Sequence, residues 1–245
     1  ISKFQDAERQ KEFIDNAIAA RADGIIISPI NSERVRKAID RAVDSGIPVV
    51  ATNADIDGTK RTCCVGINNR KAARIAGRLM GQFLGGTGKI AVVSSAVASE
   101  NNNYYVQIRE NEFADFIHRE YPDMKIVTTL DSFEDPQITY EKTVKLLWDY
   151  QDLQGIYITC GGVSQVGRAL EESGRAKDIR VISFEDYPEV VDLIRKDVID
   201  CTLAGELQQQ GEIPVQIIMD YLVFGKEPEQ PQIFTDIRVL VKESL

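Results

Sequence analysis

The amino-acid sequence predicts an α/β fold in which parallel sheets are covered by helices on both faces. Short apolar runs alternate along the chain with amphipathic helical segments, almost without exception. The runs are continuously apolar, which is typical of strands that are buried on both faces of a parallel sheet. Right-handed crossovers between such strands determine most of the local topology.

The first half of the chain begins on a helix, whereas folds of this kind usually begin on a buried strand. Gly46 provides the left-handed stop of the second helix, and Pro48 stands at a strand start, where a missing donor matters least. In order, the pattern predicts a helix around residues 13–18, a strand over 24–28, a helix capped by Asn31 or Ser32, strands over 47–52 and 62–67, and a helix capped by Asn68 or Asn69.

The second half repeats the pattern. Asp135 followed by Pro136 is typical of a helix start, with a capping side chain and proline at the first helical position. The predicted elements are strands over 89–95, 124–130, 155–159, 179–184, 200–204 and 233–241, and helices over 102–119 and beginning near Asp135, Gly162, Pro188 and Gln208.

Composition restricts the function classes. The 245 residues allow one large domain or two modest ones. A net charge of −9 argues against a surface that binds nucleic acid or anionic lipid, and no apolar run is long enough to span a membrane. The single histidine, His118, makes a histidine-bearing triad or a histidine-rich metal site improbable. We therefore predict a binding protein without cofactor or metal, and not an enzyme.

The four cysteines form no C-x-x-C pair, and two of them are adjacent in a predicted strand, where successive side chains point to opposite faces. We interpret them as reduced, buried thiols, which favours a reducing compartment. They are Cys63, Cys64, Cys160 and Cys201.

Two glycine-rich segments need separate interpretations. Residues 85–89 lack the first glycine and the final Ser or Thr of a phosphate-binding loop, and they follow a helix, so a helix-to-strand turn is favoured. Gly161 and Gly162 stand between a strand and a helix. Amides at a helix N-terminus can bind an anion or a ligand hydroxyl, and they can equally form a tight turn; both interpretations stay open.

Polar residues follow several predicted strands. Glu185 and Asp186 follow the strand over 179–184, and Asn53 and Asp55 follow the strand over 47–52. Ligands of open α/β sheets bind beyond the carboxyl ends of the strands, where a carboxylate accepts hydrogen bonds from hydroxyl groups. Without a nucleophile or a metal ligand beside them, we expect these carboxylates to bind a ligand and not to catalyse.

Several stretches resemble the periplasmic-binding-protein type I fold and, within it, the effector-binding region of LacI-family transcriptional regulators. The resemblance to the fold lies in ADGIIISP over 22–29, SGIPVV over 45–50 and VGINN over 65–69. The resemblance to regulators lies in GIY over 155–157, the following Gly161-Gly162, RALEE over 168–172 and the ending IRVLVKESL over 237–245.

The resemblance implies two Rossmann-like parallel-sheet lobes joined by a three-crossing hinge, with a small sugar-like ligand between them. The crossings are expected near Ala96, Leu207 and Gln232. The N-terminal lobe then consists of 1–96 plus 207–232, and the C-terminal lobe of 97–206 plus 233–245. An N-terminal strand–helix–strand and a helix-turn-helix are expected to precede Ile1.

Carried over residue by residue, most sugar-binding positions of the family are altered here. Asn53 stands where a strand-end Asp is usual, Gln107 where an Arg is usual, and Glu185 where the later Asp is usual, while Arg109 keeps the second arginine of its motif. Gly205 replaces a Gln near a crossing. The predicted ligand-binding residues are Asn53, Asp55, Gln107, Cys160, Gly161, Glu185, Asp186 and Glu206.

Two functional hypotheses follow from the resemblance. The first is the ligand-sensing effector domain of a LacI-type regulator, cytoplasmic and homodimeric, in which lobe closure alters the binding of operator DNA by a helix-turn-helix outside these residues. The alternative is an extracytoplasmic solute-binding protein of an ABC sugar importer. An enzyme would need a nucleophile–base pair or a metal cluster that the sequence does not offer.

Overall fold

A computed structural model describes residues 6–95, 104–133 and 135–245. The helices are α1 (Ala7–Ala19), α2 (Glu33–Asp44), α3 (Asn69–Phe83), α4 (Tyr104–Glu120), α5 (Pro136–Asp149), α6 (Val163–Glu172), α7 (Pro188–Arg195) and α8 (Leu207–Phe224). The strands are β1 (Ile25–Ile27), β2 (Val49–Thr52), β3 (Cys63–Ile67), β4 (Gly88–Ser94), β5 (Met124–Asp131), β6 (Leu153–Ile158), β7 (Arg180–Phe184), β8 (Cys201–Gly205), β9 (Gln232–Thr235) and β10 (Ile237–Leu240).

Two compact units divide the chain. The first contains the described residues of Ile1–Asn68, Ser99–Tyr105 and Gly205–Asp236. The second contains those of Asn69–Ala98, Val106–Ala204 and Ile237–Leu245. The alternation of strands and helices therefore builds two sheets, as the sequence pattern predicts.

The first unit is built on a four-stranded parallel sheet of order β1-β2-β3-β9. Neighbouring residues of β2 point to opposite faces, so each face has its own core. Val49 packs with residues of α1 and α2, such as Ile14 and Ile39. Val50 packs with Ile217 of α8 on the other face. The carboxyl ends of all four strands lie at one edge of this sheet.

The second unit is built on a six-stranded sheet of order β10-β8-β7-β6-β4-β5. The strands from β5 to β8 are paired in parallel, with Val92 of β4 opposite Tyr157 of β6 and Tyr157 opposite Ile182 of β7. The central strands are buried on both faces, so their sequences are continuous apolar runs. These runs are the reason why the sequence predicts a parallel sheet.

Two predicted helix caps and one predicted helix stop are confirmed. The Ser32 Oγ accepts a hydrogen bond from the Val35 amide at 3.3 Å, and the Asp135 Oδ1 accepts one from the Ile138 amide at 2.9 Å. Gly46 follows α2 with a φ of 83°, a left-handed conformation that side chains rarely adopt. The predicted start of the fourth helix at Asn102 lies outside the described residues.

The glycine segment over 85–89 is a helix-to-strand turn, as predicted. Gly85 and Gly86 have φ values of 65° and 81° and connect the end of α3 to the start of β4. The amides therefore end a helix and do not begin one, so the geometry of a phosphate-binding loop does not arise.

The structure differs from the sequence-based division at the first crossing. Residues 69–94, which contain α3 and β4, were assigned to the N-terminal lobe, but β4 is hydrogen-bonded to β5 and β6 in the second unit. The predicted crossing at Ala96 lies outside the described residues, and the unit boundary of the structure follows Asn68. Pairing between strands decides this boundary, and no change in composition marks it.

The last predicted strand, over 233–241, is two strands. β9 pairs with β3 in the first unit, whereas β10 lies beside β8 in the second. The unit boundary falls between Asp236 and Ile237, inside an apolar stretch without glycine or proline. Both halves have the composition of a β-strand and no turn residue separates them, so the sequence predicts one strand.

The cysteines are reduced and buried, as predicted. Cys63 and Cys64 both lie in β3, and burial raises the pKa of each thiol, to about 12 for Cys64. In the described ranges, no helix has the length and apolar character that a membrane crossing requires.

Candidate functional site

Arg109 is the centre of the polar cluster at the strand-end edge of the second unit. It lies in α4 and is only 8% exposed. Its Nε donates to the Asn69 Oδ1 at 2.6 Å, and its Nη1 donates to the Thr159 carbonyl oxygen at 3.1 Å. Its guanidinium carbon lies 3.9 Å from the centroid of the Phe184 ring. One guanidinium group thus joins α3, α4, β6 and β7.

Glu185 lies directly after β7, close enough to Arg109 for their charges to interact. Its φ of 71° is a left-handed conformation that is uncommon for a residue with a side chain. Two contacts with β8 hold the backbone in place: the Glu185 amide donates to the Leu203 carbonyl at 2.8 Å, and the Thr202 hydroxyl donates to the Glu185 carbonyl at 2.7 Å. Strained backbone that is held in this way is concentrated at functional sites.

The electrostatics of Glu185 follow from its surroundings. Burial raises the pKa of its carboxyl group, the Arg109 charge opposes that rise, and Asp186 adds to it. The cost of desolvation is therefore larger than the gain from the cation. A partly buried carboxylate of this kind is satisfied by ligand groups that donate hydrogen bonds.

The pH dependence of stability tests the position of Glu185. With a raised pKa in the folded state, the folded protein binds this proton more tightly than the unfolded chain, so the free energy of unfolding falls as pH rises through the raised pKa. Replacing Glu185 by glutamine removes this fall. We expect the variant to have a higher Tm than the wild type above the ordinary pKa range of carboxyl groups, with a gap that grows until pH has passed the raised pKa.

The matched control for this measurement is Glu172→Gln. Hydrogen bonds from Tyr140 and Arg168 lower the pKa of the exposed Glu172, so its stabilising contribution is present at neutral pH and lost as pH falls. The control should therefore lose Tm relative to the wild type at neutral pH, by a small amount. Equal pH profiles for wild type and Glu185→Gln would contradict the assignment.

Three stacked or tilted rings lie beneath the cluster. Phe113 and Tyr157 are stacked at 4.1 Å between centroids, and Phe184 is tilted against Tyr157 at 6.0 Å. Burial raises the pKa of Tyr157, and its hydroxyl has no hydrogen-bond partner among the described residues. The rings form a rigid apolar support for Arg109 and Glu185.

Asp186 has a structural contact of its own. Its carboxylate accepts a hydrogen bond from the Arg238 Nη2 at 2.7 Å, which connects the loop after β7 to β10 within the second unit. The two predicted carboxylates are thus unequal. Glu185 interacts electrostatically with the buried Arg109, whereas Asp186 stabilises the loop that carries Glu185.

The other predicted residues of this unit lie at the same edge or near it. Cys160 follows β6 and is buried, with its Sγ 3.4 Å from the Ser132 Oγ. Gly161 is exposed, and Gly162, with a φ of 92°, is the N-cap of α6. Gln107 is exposed on α4, two residues before Arg109, so the two side chains leave the helix on different faces.

In the first unit, Asn53 is the second strained residue at a strand end. It follows β2 with a φ of 62°, and its amide donates to the Val65 carbonyl at 3.1 Å. Its side chain is exposed. Asparagine tolerates this conformation better than most residues, so the substitution for the usual Asp is compatible with the turn.

Asp55 is engaged by Arg61. The carboxylate and the guanidinium form two hydrogen bonds, with side chains only 7% and 10% exposed, and the Arg61 Nη1 donates to the Pro231 carbonyl at 2.8 Å. This pair ties the loop after β2 to the chain before β9. The geometry assigns Asp55 a structural part in this unit, which sequence spacing alone does not reveal.

Glu206 is the N-cap of α8 and is half-buried, without a capping hydrogen bond from its side chain.

The sequence analysis missed two buried residues near the strand ends: Asn69, which orients Arg109, and Gln210 in α8. The signal that could have found Asn69 is its place at a helix start directly after a strand. The described residues contain no group of three potential metal ligands.

Comparison with known proteins identifies the family. The profile of the periplasmic binding protein domain matches residues 2–227. The D-apiose import binding protein of Paraburkholderia graminis is 25% identical over 81% of this chain and 62% of that protein. The ribose import binding protein of Bacillus subtilis is 21% identical over 94% of this chain and 72% of that protein. This chain thus spans less than two thirds of the first of these relatives.

Solved structures have the same fold. The structure of AraP, an arabinose binding protein from Geobacillus stearothermophilus, is 28% identical, with a TM-score of 0.84, over 98% of this chain and 83% of that chain. The predicted α/β fold of the periplasmic-binding-protein type I class is confirmed. These relatives are binding proteins and not enzymes, which also confirms the prediction of a non-catalytic chain.

The same comparisons correct the prediction of a LacI-type regulator. The relatives are import binding proteins, so the predictions of transcription regulation and of a cytoplasmic location are wrong. Operator DNA and a homodimer have no counterpart among the relatives named above. The free cysteines were a poor guide to the compartment. A buried thiol is unreactive in any compartment, so four buried free thiols do not indicate a reducing one. The chain belongs to the family of periplasmic binding protein domains.

Proposed function

We propose that the chain is the extracytoplasmic sugar-binding component of an importer and that its ligand is a pentose. The proposal is supported by relatives that are named for the import of D-apiose and ribose and by the similar arabinose binding protein. The partner would then be the membrane permease of that importer. Because the chain spans only part of its relatives, the function of the whole protein is included in the proposal.

The observation that carries the proposal is the electrostatic interaction of the buried Arg109 with Glu185 at the strand-end edge of the second unit. A guanidinium group donates hydrogen bonds in a fixed planar arrangement, and a carboxylate accepts them. Each sugar hydroxyl both donates and accepts, so a cation and an anion at one edge of a sheet match a ring that carries several hydroxyl groups. The buried surroundings make such hydrogen bonds stronger than they are in water.

We assign the predicted residues different parts in this function. Glu185 is proposed to contact the sugar together with Arg109, and Cys160 and Gly161 line the same edge of the second unit. Asn53 stays a predicted ligand-binding residue at the strand-end edge of the first unit. Gln107 and Glu206 remain candidates at these edges, whereas Asp55 and Asp186 support the loops that carry Asn53 and Glu185.

A ligand panel tests the proposal. Purified protein is titrated by calorimetry and melted in the presence of D-ribose, D-arabinose and D-apiose, with sucrose as the control because a disaccharide exceeds a site made for a pentose. A ligand at about 100 times its Kd stabilises the folded state by about 2.7 kcal/mol, which is a measurable rise in Tm. Binding of at least one pentose supports the proposal, and no binding of any pentose contradicts it.

A further inference from the structure

Helix α3 of the second unit carries a row of arginines along its outer face. Arg70, Arg74 and Arg78 lie four residues apart, and their side chains are 58%, 53% and 50% exposed. Residues at this spacing lie on one face of a helix, on successive turns. Lys71 adds a fourth cation to the helix, whose sequence contains no Asp or Glu. The arginine row is therefore a local positive surface in a chain with a net charge of −9.

Helix α4 binds one side of the arginine row through two carboxylates. Glu112, only 13% exposed, accepts hydrogen bonds from Arg70 and from Arg74, whose Nε lies 3.1 Å from the Glu112 Oε2. Glu120 accepts one from the Arg78 Nη2 at 3.3 Å. The two glutamates are eight residues apart on α4, which is the spacing between Arg70 and Arg78 on α3. Two helices are thus joined by carboxylates that match the arginines in spacing.

The guanidinium of Arg78 is ordered further by two aromatic rings. Its carbon lies 5.1 Å from the centroid of the Phe116 ring and 5.6 Å from that of Tyr121. The Arg78 Nη1 also donates to the Tyr121 hydroxyl at 3.1 Å. The π face of a ring attracts a cation, and both rings therefore restrict the guanidinium. A side chain that is already ordered loses less conformational freedom when a partner binds.

The solvent side of the arginine row has hydrogen-bond donors to offer. Each guanidinium has five N–H donors in one plane, whereas Arg70 and Arg74 share the single carboxylate of Glu112. About half of each side chain is exposed to solvent. Guanidinium and carboxylate groups match in a planar arrangement of two parallel hydrogen bonds. The outer side of the row is therefore complementary to further carboxylates.

We propose that the arginine row is a docking surface for an acidic helix of another protein, which carries Asp or Glu at every fourth residue. Helix α4 already uses this chemistry on the inner side of the row. A partner helix of that pattern would place one carboxylate against each arginine from the solvent side. An anionic lipid surface attracts cations in any arrangement, so it does not require this spacing. The inference goes beyond the proposed function and involves neither Arg109 nor Glu185.

A pair of peptides tests the spacing. Isotope-labelled full-length chain is titrated by NMR, at low ionic strength, with an alanine-rich helical peptide of about 20 residues that carries three glutamates four residues apart. Its isomer carries them five residues apart, which places them on different faces of the helix. We expect the first peptide to bind about fivefold more tightly, to shift the amide signals of α3, and to bind more weakly as salt is added. Equal binding of the two peptides, or no binding of the first, overturns the proposal.

Substitution of the arginine row tests the location of the surface. The triple variant Arg70→Gln, Arg74→Gln, Arg78→Gln is expected to bind the first peptide about tenfold more weakly than wild type. Because this variant removes the partners of Glu112, its Tm is measured alongside. Arg78→Gln alone leaves Glu112 paired and should weaken binding about threefold without unfolding the protein. Wild-type affinity in both variants overturns the proposal.

The matched control removes the same charge from α2 of the first unit. Three cations of that helix are also paired with carboxylates and are about half or more exposed: Arg34, Lys37 and Arg41. Their joint replacement by glutamine should change the affinity for the first peptide by less than about twofold. A loss equal to that of the α3 variant would mean that total charge, and not the arginine row, determines binding, and would refute the proposal.

Vesicles of phosphatidylglycerol are the probe for the other source of negative charge. If wild type binds the vesicles through the arginine row and does not prefer the first peptide over its isomer, the surface serves a membrane and the proposal is wrong. The α3 variant should bind pentoses as wild type does, because Arg109 and Glu185 are unchanged. The peptide titration and the sugar panel can therefore fail independently of each other.

Discussion

Replacing Arg109 by leucine is expected to abolish measurable pentose binding, with a loss of affinity of about 100-fold or more, and to lower the free energy of unfolding by about 3 kcal/mol. The substitution removes the donor of the proposed sugar contacts. It also leaves the Asn69 Oδ1, the Thr159 carbonyl and the Glu185 carboxylate without their cation in a buried place. Calorimetric titration measures the affinity, and chemical denaturation measures the stability.

Arg168→Leu is the matched control, because Arg168 also covers an aromatic ring and pairs with a carboxylate in the same unit. Its guanidinium lies 4.4 Å from the Tyr140 ring centroid and 2.8 Å from the Glu172 Oε1, but the side chain is 64% exposed. We expect little or no change in stability, because exposed ion pairs contribute little, and unchanged affinity. Equal effects of the two substitutions would refute the part assigned to Arg109.

Arg109→Lys refines the first prediction. Lysine keeps the charge beside Glu185 but cannot reproduce the planar arrangement that reaches Asn69 and Thr159 together. The variant is expected to fold and to bind the sugar about tenfold or more weakly. Wild-type affinity in this variant would mean that charge alone, and not the direction of the hydrogen bonds, determines binding.

Replacing Asp55 by alanine is expected to lower the free energy of unfolding by about 3–5 kcal/mol, because the buried Arg61 loses its partner. The hydrogen bond from the Arg61 Nη1 to the Pro231 carbonyl then lacks the carboxylate that holds the guanidinium in place. Denaturant titration followed by circular dichroism measures the loss. At temperatures where the variant is folded, its pentose affinity should change much less than that of Arg109→Leu.

Asp44→Ala controls for the loss of an ion pair at the surface of the same unit. Asp44 pairs with Lys60 at 2.7 Å, with both side chains more than half exposed, so little or no change in the free energy of unfolding is expected. The double variant Asp55→Ala, Arg61→Leu should recover part of the stability, since it leaves no unpaired buried charge. An Asp55→Ala protein with wild-type stability and no sugar binding would instead make Asp55 a direct ligand.

Local sequence signals predicted most of the elements. The apolar runs of the central strands, the capping residues Ser32 and Asp135 and the glycine at 46 act over a few residues, so they can be recognised without knowledge of the fold. The position of Glu185 after a strand was predictable for the same reason. Strand ends of a parallel sheet meet at one edge whatever the rest of the chain does.

Functional assignment from the sequence failed where one fold serves several functions. Lobes of this type occur in regulators and in import proteins, so motifs of the strands and helices do not separate the two. The similarity of the chain to import binding proteins over most of its length decided the question. Residues 161–162 and 168–172, which favoured a regulator, lie at the start and in the second half of α6.

The sequence by itself determined the alternation of strands and helices, the parallel sheets, the buried thiols and a binding function without catalysis. Only the tertiary structure decided that β4 belongs to the second unit, that Asp55 is held by Arg61, and that Arg109 is buried beside Glu185. It also placed Gln210 against Gly205. The physical reason is the distance along the chain between the interacting residues. Secondary-structure propensities and helix caps depend on neighbouring residues, whereas these contacts join residues that are far apart in sequence or determine whether a charge is buried.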